Sequence, residues 1–436
     1  MLYPLKDIKY LVLFQSIFKQ FLRADIYLLN LRNPPDRHGA WPQNIKIVIA
    51  IDSFKGSMSS RKVTECLVKA FSAARPDIEV LSFVMADGGE GTVAALLSGK
   101  RSDIRDGNTS EGGALSGSSF RTVTATVSDP LGRPVSASFA IDGEGVCIME
   151  MSAASGLTLL SPEERNPLLT STAGTGELIT KALDEGCRDF IVGLGGSATN
   201  DAGTGMLQSL GFRFLDKDGV PLNACGAALE DIASIDGDGA DPRLADCHFK
   251  LACDVRNPFC GPQGAAFVFA PQKGADAATV QRLDSGMRHF ADMILEYTGR
   301  DIASIPGAGA AGGLGGAFSA FLDAQMLSGA GLVLDSAGFD RLIKDADLVI
   351  TGEGKLDSQT FSGKAPSTVL ERATRRHIPV IAIAGKVEAC KELESAGFKA
   401  IYATAEENVP DTVAMTEEYT SGRLEAIASS ILRSLA

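Results

Sequence analysis

Runs of β-branched residues, each followed by a glycine-containing loop and then a helical pattern, occur near both ends of the chain. The first run is residues 45–51 (Ile-Lys-Ile-Val-Ile-Ala-Ile), and a helix is predicted after it over about residues 59–74. A later run, residues 347–351, precedes a helix predicted near 365–376 and a strand at 379–384. Alternation of strand and helix is typical of a parallel sheet covered by helices, so the sequence predicts an α/β fold.

The middle of the chain has a different pattern. Residues 121–127 and 146–151 alternate apolar and polar side chains, which predicts consecutive antiparallel strands. A length of 436 residues suits two domains. We therefore predict a Rossmann-like parallel-sheet domain made of residues 45–119 and 306–436, interrupted by a second α/β domain at 120–305. The Gly/Ser-rich end of the first part, after residue 100, is predicted to be a flexible loop.

The first 44 residues lie outside this pattern. Apolar residues recur at helical spacing between positions 11 and 22, which predicts a short amphipathic helix. Gln15 and Lys19 interrupt the apolar run, so it is too short and too polar to span a membrane. It also lacks a small-residue cleavage site, so we expect no secretory signal. Residues 1–44 are interpreted as an extension.

Composition excludes several classes of function. A net charge of -13 argues against a nucleic-acid partner, because phosphate backbones are bound by clustered Lys and Arg. The eight cysteines form no CxxC pair, which favours reduced thiols in the cytoplasm over disulfides or a zinc site. An acidic protein of this kind can bind an anionic substrate only through local cations, backbone N–H groups or a metal.

Residues 52–57 (Asp-Ser-Phe-Lys-Gly-Ser) follow the first strand directly. Asp52 could hold Mg²⁺ or accept a proton, and Lys55 could meet a phosphate or a substrate carboxylate. The alternative is that Asp52 and Ser53 only organise the turn, with Lys55 in solvent.

Residues 87–92 (Asp-Gly-Gly-Glu-Gly-Thr) place two carboxylates three positions apart. Mg²⁺ prefers one or two carboxylates together with phosphate oxygens, so Asp87 and Glu90 are metal-ligand candidates. The pair could equally begin a helix, where acidic residues are favoured.

Residues 193–203 (Gly-Leu-Gly-Gly-Ser-Ala-Thr-Asn-Asp-Ala-Gly) follow a predicted strand and precede a helix. Their N–H groups could cradle phosphate. The segment also matches G-x-G-x-x-A, and Asp216 lies 23 residues after Gly193, as in a nicotinamide-dinucleotide fingerprint. The polar residues from Ser197 to Asp201 are not required by a dinucleotide site, but phosphoryl transfer could use them.

Residues 351–357 (Thr-Gly-Glu-Gly-Lys-Leu-Asp) are predicted to form a loop after the later strand, followed by Ser-Gly-Lys at 362–364. A Walker A motif is excluded because Ser358 stands at the first glycine position and Ala365 at the final Ser/Thr position. Protein-kinase motifs are also absent from the sequence. Any kinase chemistry must use another scaffold.

Two further segments contain candidate site residues, of which Arg256 or Lys273 could meet an anion. Residues 252–258 (Ala-Cys-Asp-Val-Arg-Asn-Pro) include Asp254 and Arg256, and residues 271–274 (Pro-Gln-Lys-Gly) include Lys273. Ordinary turn or surface positions are the alternative for each of these side chains.

Taken together, these segments resemble the type I glycerate kinase family over roughly residues 45 to 436. The matching segments are residues 51–57, 86–92, 165–172 with 174–178, 195–201, 252–255, 271–274 and 350–354. The resemblance implies two α/β domains, one inserted in the other, with the active site in the cleft between them. It also implies transfer of the γ-phosphoryl group of ATP to D-glycerate with Mg²⁺, giving 2-phosphoglycerate in many bacteria.

On this basis each candidate receives an expected role. We expect catalytic roles for Asp52, Lys55, Asp201 and Asp254, substrate contacts from Ser53, Arg256, Lys273 and Asn200, nucleotide contacts from Gly195, Gly196, Ser197, Thr199, Gly352, Gly354 and Lys364, and Mg²⁺ ligands in Asp87, Glu90 and Glu353. The division of roles among the acidic residues is open. The alternatives are a glycerate 3-kinase, a kinase of a related hydroxy acid, an NAD-dependent dehydrogenase, and a non-catalytic binding protein. The oligomeric state is also open, with a homodimer among the options.

Overall fold

The computed structural model describes residues 45–54, 56–86, 92–99 and 120–435. The strands are β1 Lys46–Ile51, β2 Glu79–Val84, β3 Arg121–Ser128, β4 Pro134–Ile141, β5 Cys147–Glu150, β6 Asp189–Gly193, β7 Arg213–Leu215, β8 Ser234–Asp236, β9 His248–Ala252, β10 Gln325–Leu327, β11 Leu348–Leu356, β12 Val380–Val387 and β13 Ala400–Ala403.

The helices are α1 Ser60–Ala74, α2 Thr92–Gly99, α3 Ser152–Ser155, α4 Ala173–Asp184, α5 Thr204–Ser209, α6 Ala265–Phe269, α7 Ala277–Thr298, α8 Leu314–Phe321, α9 Gly329–Ser336, α10 Phe339–Leu342, α11 Ala365–Thr374, α12 Lys391–Ser395, α13 Asp411–Ala414 and α14 Glu417–Leu435. Short 3₁₀ turns lie between them, including Pro271–Lys273 and Ala310–Gly313. The amphipathic helix predicted between positions 11 and 22 and the flexible loop predicted after residue 100 fall outside the described residues.

The described residues form two compact units. One comprises the described residues up to Met85 together with Gly338–Phe361 and the chain from Ala365 onward. The other comprises Ala86–Ala337 and Ser362–Lys364. The division predicted from the sequence pattern placed its boundaries at 119/120 and 305/306.

The first unit contains a five-stranded sheet in the order β13-β12-β11-β1-β2. Every neighbouring pair in it is parallel. From β1 the chain moves outward to β2, whereas from β11 it moves in the opposite direction to β12 and β13. The order of the strands therefore reverses between β1 and β11, and at such a point the carboxyl ends of the two strands diverge and leave room for a ligand.

Strand β11 is longer than the sequence pattern predicted. The segment 351–357 was expected to be a loop, but β11 continues to Leu356 and pairs with β12 through Gly352, Glu353 and Lys355. The loop prediction was wrong because glycines in this segment permit close strand contact instead of a turn. A Cβ atom on Gly352 would lie 1.7 Å from the carbonyl oxygen of Ile383.

The second unit contains a six-stranded sheet in the order β10-β9-β6-β5-β4-β3. The four strands from β10 to β5 are parallel, and β4 is antiparallel to both β5 and β3. The predicted α/β class with parallel sheets is thus confirmed, as are the antiparallel strands predicted between residues 121 and 151. Aromatic rings pack on this sheet, where Phe190 stacks on Phe249 at 4.6 Å and Phe249 packs against Phe318 at 5.5 Å.

Within the described part of the chain, no helix combines the length and apolar character needed to cross a membrane.

The tight contact at Gly352 gives a test of the sheet. We expect Gly352→Ala to lower the free energy of unfolding by about 2–4 kcal/mol, because the added methyl group collides with the backbone of β12. The matched control is Gly422→Ala in α14, where an added Cβ meets nothing within 4 Å. That control should raise the free energy of unfolding by about 0.5–1 kcal/mol. Urea unfolding of both variants measures the difference, and equal effects would contradict the close packing at Gly352.

Candidate active site

A loop at the carboxyl end of β6 carries the largest group of predicted site residues. It leaves the sheet after Gly193 and reaches α5 at Thr204. Three of its residues have left-handed backbone, namely Gly196 with φ 76°, Ala202 with φ 54° and Gly203 with φ 79°. A non-glycine residue at positive φ is strained, and such strain is concentrated at functional sites because the surroundings must hold it.

Neighbouring segments hold this loop in place. Gly196 accepts a hydrogen bond from the N–H of Leu157 at 2.8 Å, and the N–H of Ala198 donates to the carbonyl of Ser155 at 2.9 Å. The hydroxyl of Thr170 donates to the carbonyl of Ala198 at 3.1 Å. The loop is therefore fixed by the backbone of Ser155 and Leu157 and by the side chain of Thr170.

The 3₁₀ turn Ala310–Gly313 packs directly beneath the loop. Gly312 has φ 69°, and its carbonyl accepts a hydrogen bond from the N–H of Ala202 at 3.0 Å. A Cβ atom at Gly312 would lie only 2.1 Å from the carbonyl oxygen of Thr199. This glycine-containing turn therefore supports the loop after β6 by close backbone contact.

Several amide groups of the loop point to no acceptor. Within this loop, the N–H groups of Gly195, Gly196, Ser197, Thr199, Asn200 and Asp201 form no hydrogen bond with the described residues. We call residues 195–201 the donor loop. Consecutive N–H groups without a protein acceptor, at the end of a parallel strand, are the typical features of an anion-binding site.

Lys273 holds the donor loop in place through hydrogen bonds from its side chain. Its side chain is buried, and its ammonium group donates to Ser197 Oγ at 2.7 Å and to the carbonyl oxygen of Thr199 at 2.6 Å. Burial lowers the pKa of Lys273 to about 7, because desolvation disfavours the charged form, while the negative charge of Asp201 acts in the opposite direction.

Asp201 is also fully buried, and both of its carboxylate oxygens are occupied. One oxygen accepts from the N–H and the hydroxyl of Thr172, each at 2.8 Å, and from the N–H of Gly205 at 3.1 Å. The other accepts from the N–H of Gly203 at 3.1 Å. Burial raises the pKa of Asp201, and the hydrogen bonds from Thr172, Gly203 and Gly205 oppose that rise. The carboxylate thus joins the donor loop to the start of α4.

Two other predicted residues of the donor loop retain unused polar atoms. Asn200 donates from Nδ2 to the sulfur of Met287 at 3.1 Å. Its Oδ1 atom and the hydroxyl of Thr199 are buried, and neither has a hydrogen-bond partner among the described residues. Buried polar atoms are normally satisfied, so these two atoms indicate a ligand or an ordered water.

The candidates in the first unit lie where the strand order reverses. Asp52 follows β1, is buried, and donates its N–H to the carbonyl of Gly352 at 2.9 Å. Its carboxylate accepts from the N–H of the half-buried Ser53 at 2.6 Å. Glu353 in β11 is buried and accepts from the hydroxyl of Thr360 at 2.6 Å. The carboxyl ends of β1 and β11 therefore bring both acids to one edge of this sheet.

The remaining predicted residues are dispersed. Asp254 follows β9 and accepts from the N–H of Gly329, at the start of α9, at 2.8 Å. Arg256 is exposed, and Lys364 is half-buried in the short segment that belongs to the second unit. Lys55, Asp87 and Glu90 lie outside the described residues. Among the residues that are described, no three His, Cys, Asp or Glu side chains are grouped closely enough to hold a metal ion.

The geometry does not match the dinucleotide fingerprint considered for this loop. In that motif a helix begins within the glycine loop, and the acidic residue ends the next strand of the same parallel sheet. Here α5 begins only at Thr204, and β6 pairs with β5 and β9. The strand before Asp216 is β7, which pairs with β8 in a separate two-stranded sheet.

Comparison with known proteins agrees with the resemblance seen in the sequence. The model of the Glycerate kinase family matches residues 47–436. The chain belongs to this family. Glycerate kinase of Halalkalibacterium halodurans is 46% identical over 345 residues, covering 78% of this chain and 85% of the relative. Glycerate 2-kinase of Escherichia coli is 44% identical over 344 residues, covering 79% and 86% respectively.

A solved structure extends the comparison to the fold. The crystal structure of a protein assigned as glycerate kinase 2 of Salmonella typhimurium LT2 aligns with a TM-score of 0.72 at 39% identity. It covers 90% of this chain and 99% of the other. Glycerate kinase of Bacillus subtilis, 42% identical over 391 residues, covers 89% of this chain and 98% of the relative.

Sequence reasoning did not single out Thr170 and Thr172, although both bind the donor loop. They lie in the segment 165–172, which was noted only as part of the family resemblance. A threonine that forms hydrogen bonds to a segment about 30 residues away leaves no periodic signal in the sequence. The resemblance to the family was therefore the only sign that this segment belongs near the loop.

The buried ammonium of Lys273 predicts a pH dependence of stability. Its pKa in the folded protein, about 7, lies below the ordinary value of 10.5. Burying the charge therefore has a free-energy cost that is fully present below pH 7 and disappears as the pH approaches about 10.5. Relative to Lys273→Met, the wild-type protein should gain stability across that window, on the order of 1 kcal/mol per pH unit.

Urea unfolding of both proteins at pH 7, 8 and 9 measures this difference. Lys250→Met on β9 is the control, since Lys250 is exposed and should show no such pH dependence relative to the wild type. A constant difference between wild type and Lys273→Met at all three pH values would contradict a buried, titrating Lys273.

Proposed function

We propose that this protein is a glycerate kinase that transfers the γ-phosphoryl group of ATP to D-glycerate, forming 2-phosphoglycerate and ADP. The observation that carries the proposal is the donor loop, whose unpaired N–H groups suit an anionic ligand in a member of the glycerate kinase family. Relatives with this activity in their names cover most of the chain at 42–46% identity. Phosphoryl transfer needs mainly positioning and charge stabilisation, which such a loop can supply.

The donor loop is proposed to bind phosphate oxygens through Gly195, Gly196 and Thr199. Backbone N–H groups are well suited to this task because they are fixed in direction before the ligand arrives. Asn200 can add its free carbonyl oxygen, which would accept a hydrogen bond from a glycerate hydroxyl. The loop can therefore meet both an anionic and a hydroxyl group.

Lys273 and Asp201 are proposed to position the donor loop. Lys273 was predicted to contact the substrate, and that remains a prediction, but its ammonium is buried and already bonded to two loop residues. Asp201 was predicted to have a catalytic role, which also remains a prediction, yet it accepts four hydrogen bonds from Thr172, Gly203 and Gly205. Groups so fully engaged are better suited to holding a loop than to reacting.

Mg²⁺ is proposed to accompany ATP. Asp87, Glu90 and Glu353 are the residues that would hold it, since carboxylates and phosphate oxygens are its preferred ligands. Glu353 is buried at the carboxyl end of β11 and already accepts from Thr360, which fixes one of its oxygens. The ion would neutralise charge on the transferred phosphoryl group.

A cytoplasmic location is proposed on the state of the cysteines. All eight are free thiols in the structure. Free thiols persist in reducing compartments, whereas secreted proteins tend to pair theirs.

The activity can be tested by measuring ADP release from MgATP in a coupled assay. We expect turnover that depends on D-glycerate, and ³¹P NMR of the product should show phosphate on the 2-hydroxyl group. NADH should cause no thermal stabilisation, whereas MgATP should. Glycerate-independent ADP formation, or stabilisation by NADH alone, would contradict the proposal, and a 3-phosphoglycerate product would restrict it to the alternative hydroxyl.

The positioning role of Asp201 predicts a joint loss of stability and activity. Asp201→Asn replaces one carboxylate oxygen by an NH₂ group facing N–H donors, so the free energy of unfolding should fall by about 2–4 kcal/mol. The ratio kcat/KM for glycerate should fall at least tenfold. Urea unfolding and steady-state kinetics check the two effects together. A variant with wild-type stability but a much reduced kcat would instead identify Asp201 as the base.

A further inference from the structure

Arg165 is a cation beside the donor loop for which the described structure provides no partner. It begins the segment 165–172, which the family resemblance included but to which no role was given. The same segment binds the donor loop through Thr170 and Thr172. Arg165 thus lies in a segment that contacts the donor loop, and its guanidinium has no hydrogen-bond partner among the described residues.

The backbone of Arg165 packs against the turn that carries Lys273. Gly274 has φ 94°, and a Cβ atom there would lie 2.2 Å from the carbonyl oxygen of Arg165. The same atom would lie 3.1 Å from Arg165 Cβ. The side chain of Arg165 therefore starts next to Gly274, the residue that follows Lys273 in the chain.

The guanidinium of Arg165 forms no hydrogen bond or ion pair with the described residues, and its Nε atom is buried. Several other arginines of this unit are paired with carboxylates, including Arg133 with Asp129 and Arg243 with Asp241. A buried donor without an acceptor costs about 1–3 kcal/mol, and more when it is charged. A ligand that accepts a hydrogen bond from this atom would remove that cost.

The nearby acid Glu163 is not a hydrogen-bond partner of Arg165. The pKa of Glu163 is lowered first by a hydrogen bond to its own backbone and next by one from Ser161, with the charge of Arg165 contributing least. Its carboxylate therefore has other partners and only a long-range interaction with Arg165.

Three buried side-chain atoms without a partner lie in two segments that are joined by the hydrogen bond from Thr170 to Ala198. Arg165 Nε, the Thr199 hydroxyl and Asn200 Oδ1 all lack partners among the described residues. The free N–H groups of the donor loop lie in the same region. A planar guanidinium and a row of amide donors together match the two or three oxygens of a carboxylate or phosphate.

We infer that Arg165 binds the oxyanion of a substrate held at the donor loop, as a carboxylate of glycerate or a phosphate of ATP. This inference rests on the proposed kinase function. Lys273 has one N–H donor left for such a contact while its ammonium bonds to Ser197 and Thr199. Arg165 is thus a cation of the second unit that can turn its whole guanidinium to the ligand, while Lys273 shapes the loop.

The test uses Arg165→Gln and Arg165→Lys in the full-length protein. Arg165→Gln should raise KM for one of the two anionic substrates at least tenfold, and Arg165→Lys should restore part of that loss by keeping the charge. A rise for D-glycerate identifies the carboxylate as the bound group, and a rise for ATP identifies a phosphate. Arg213→Gln is the matched control, because Arg213 is exposed and paired with Asp236, and its KM values should stay within twofold of wild type.

A binding measurement separates this inference from the kinase activity. D-glycerate and pyrophosphate are used as separate probes in thermal-shift titrations of the wild type and the variants. At least one probe should stabilise the wild type and the Arg213→Gln control but stabilise Arg165→Gln at least tenfold more weakly. That outcome supports the inference even if no glycerate phosphorylation is detected, in which case only the proposed function fails.

Two results would overturn the inference. One is that Arg165→Gln keeps both KM values and both probe affinities within twofold of the wild type. The other applies if Arg165→Gln does not fold. Arg165→Lys then decides, since unchanged KM values in a less stable protein would show a purely structural role, whereas a threefold or greater rise in one KM would support ligand binding.

Discussion

The two hydrogen bonds that the buried ammonium of Lys273 donates to Ser197 and Thr199 are the interaction on which the candidate site depends. They fix a loop that contains strained backbone and unpaired amides, neither of which is stable without support. Asp201 supplies the compensating negative charge and links the same loop to α4 through Thr172. Two opposite charges buried near each other are weak evidence for stability alone, but they specify one arrangement when their hydrogen bonds are satisfied. The cost of burying these charges is therefore consistent with a loop that must keep its amides aligned for an anion.

The two units offer complementary chemistry when each is considered separately. The first unit carries acids at the reversal of strand order, where Asp52 and Glu353 lie at the carboxyl ends of β1 and β11. The second carries donors and cations, in the donor loop, Lys273 and Arg165. Phosphoryl transfer needs metal-binding acids, donors for phosphate and a cation for the substrate carboxylate. Each class of group is thus present, and Arg165 adds the substrate-accessible cation that Lys273, being buried, does not supply.

Glycine has different functions in a strand and in a turn of this fold, which explains one failed expectation. In residues 351–357 the glycines were interpreted as signs of a loop, but Gly352 lies within β11 because only hydrogen fits against the carbonyl of Ile383. At Gly312 the same lack of a side chain lets one loop pack beneath another. A glycine signals that the backbone is free to turn or to be approached, and the sequence does not distinguish these two uses.

Local patterns in the sequence were sufficient for the α/β class, for most strands and helices, and for the family, because hydrophobic periodicity and ordered motifs are properties of neighbouring residues. They also predicted site roles for Lys273, Asp201 and Asn200, which remain predictions. What the charged side chains contact was decided by the tertiary structure. Lys273 is buried beneath the loop, Asp201 accepts four hydrogen bonds, and Arg165 is left unpaired. Each of these facts depends on contacts between segments about 30 to 110 residues apart in the chain. Burial and hydrogen bonding at such distances decide whether a charged side chain meets a ligand or holds the loop that does.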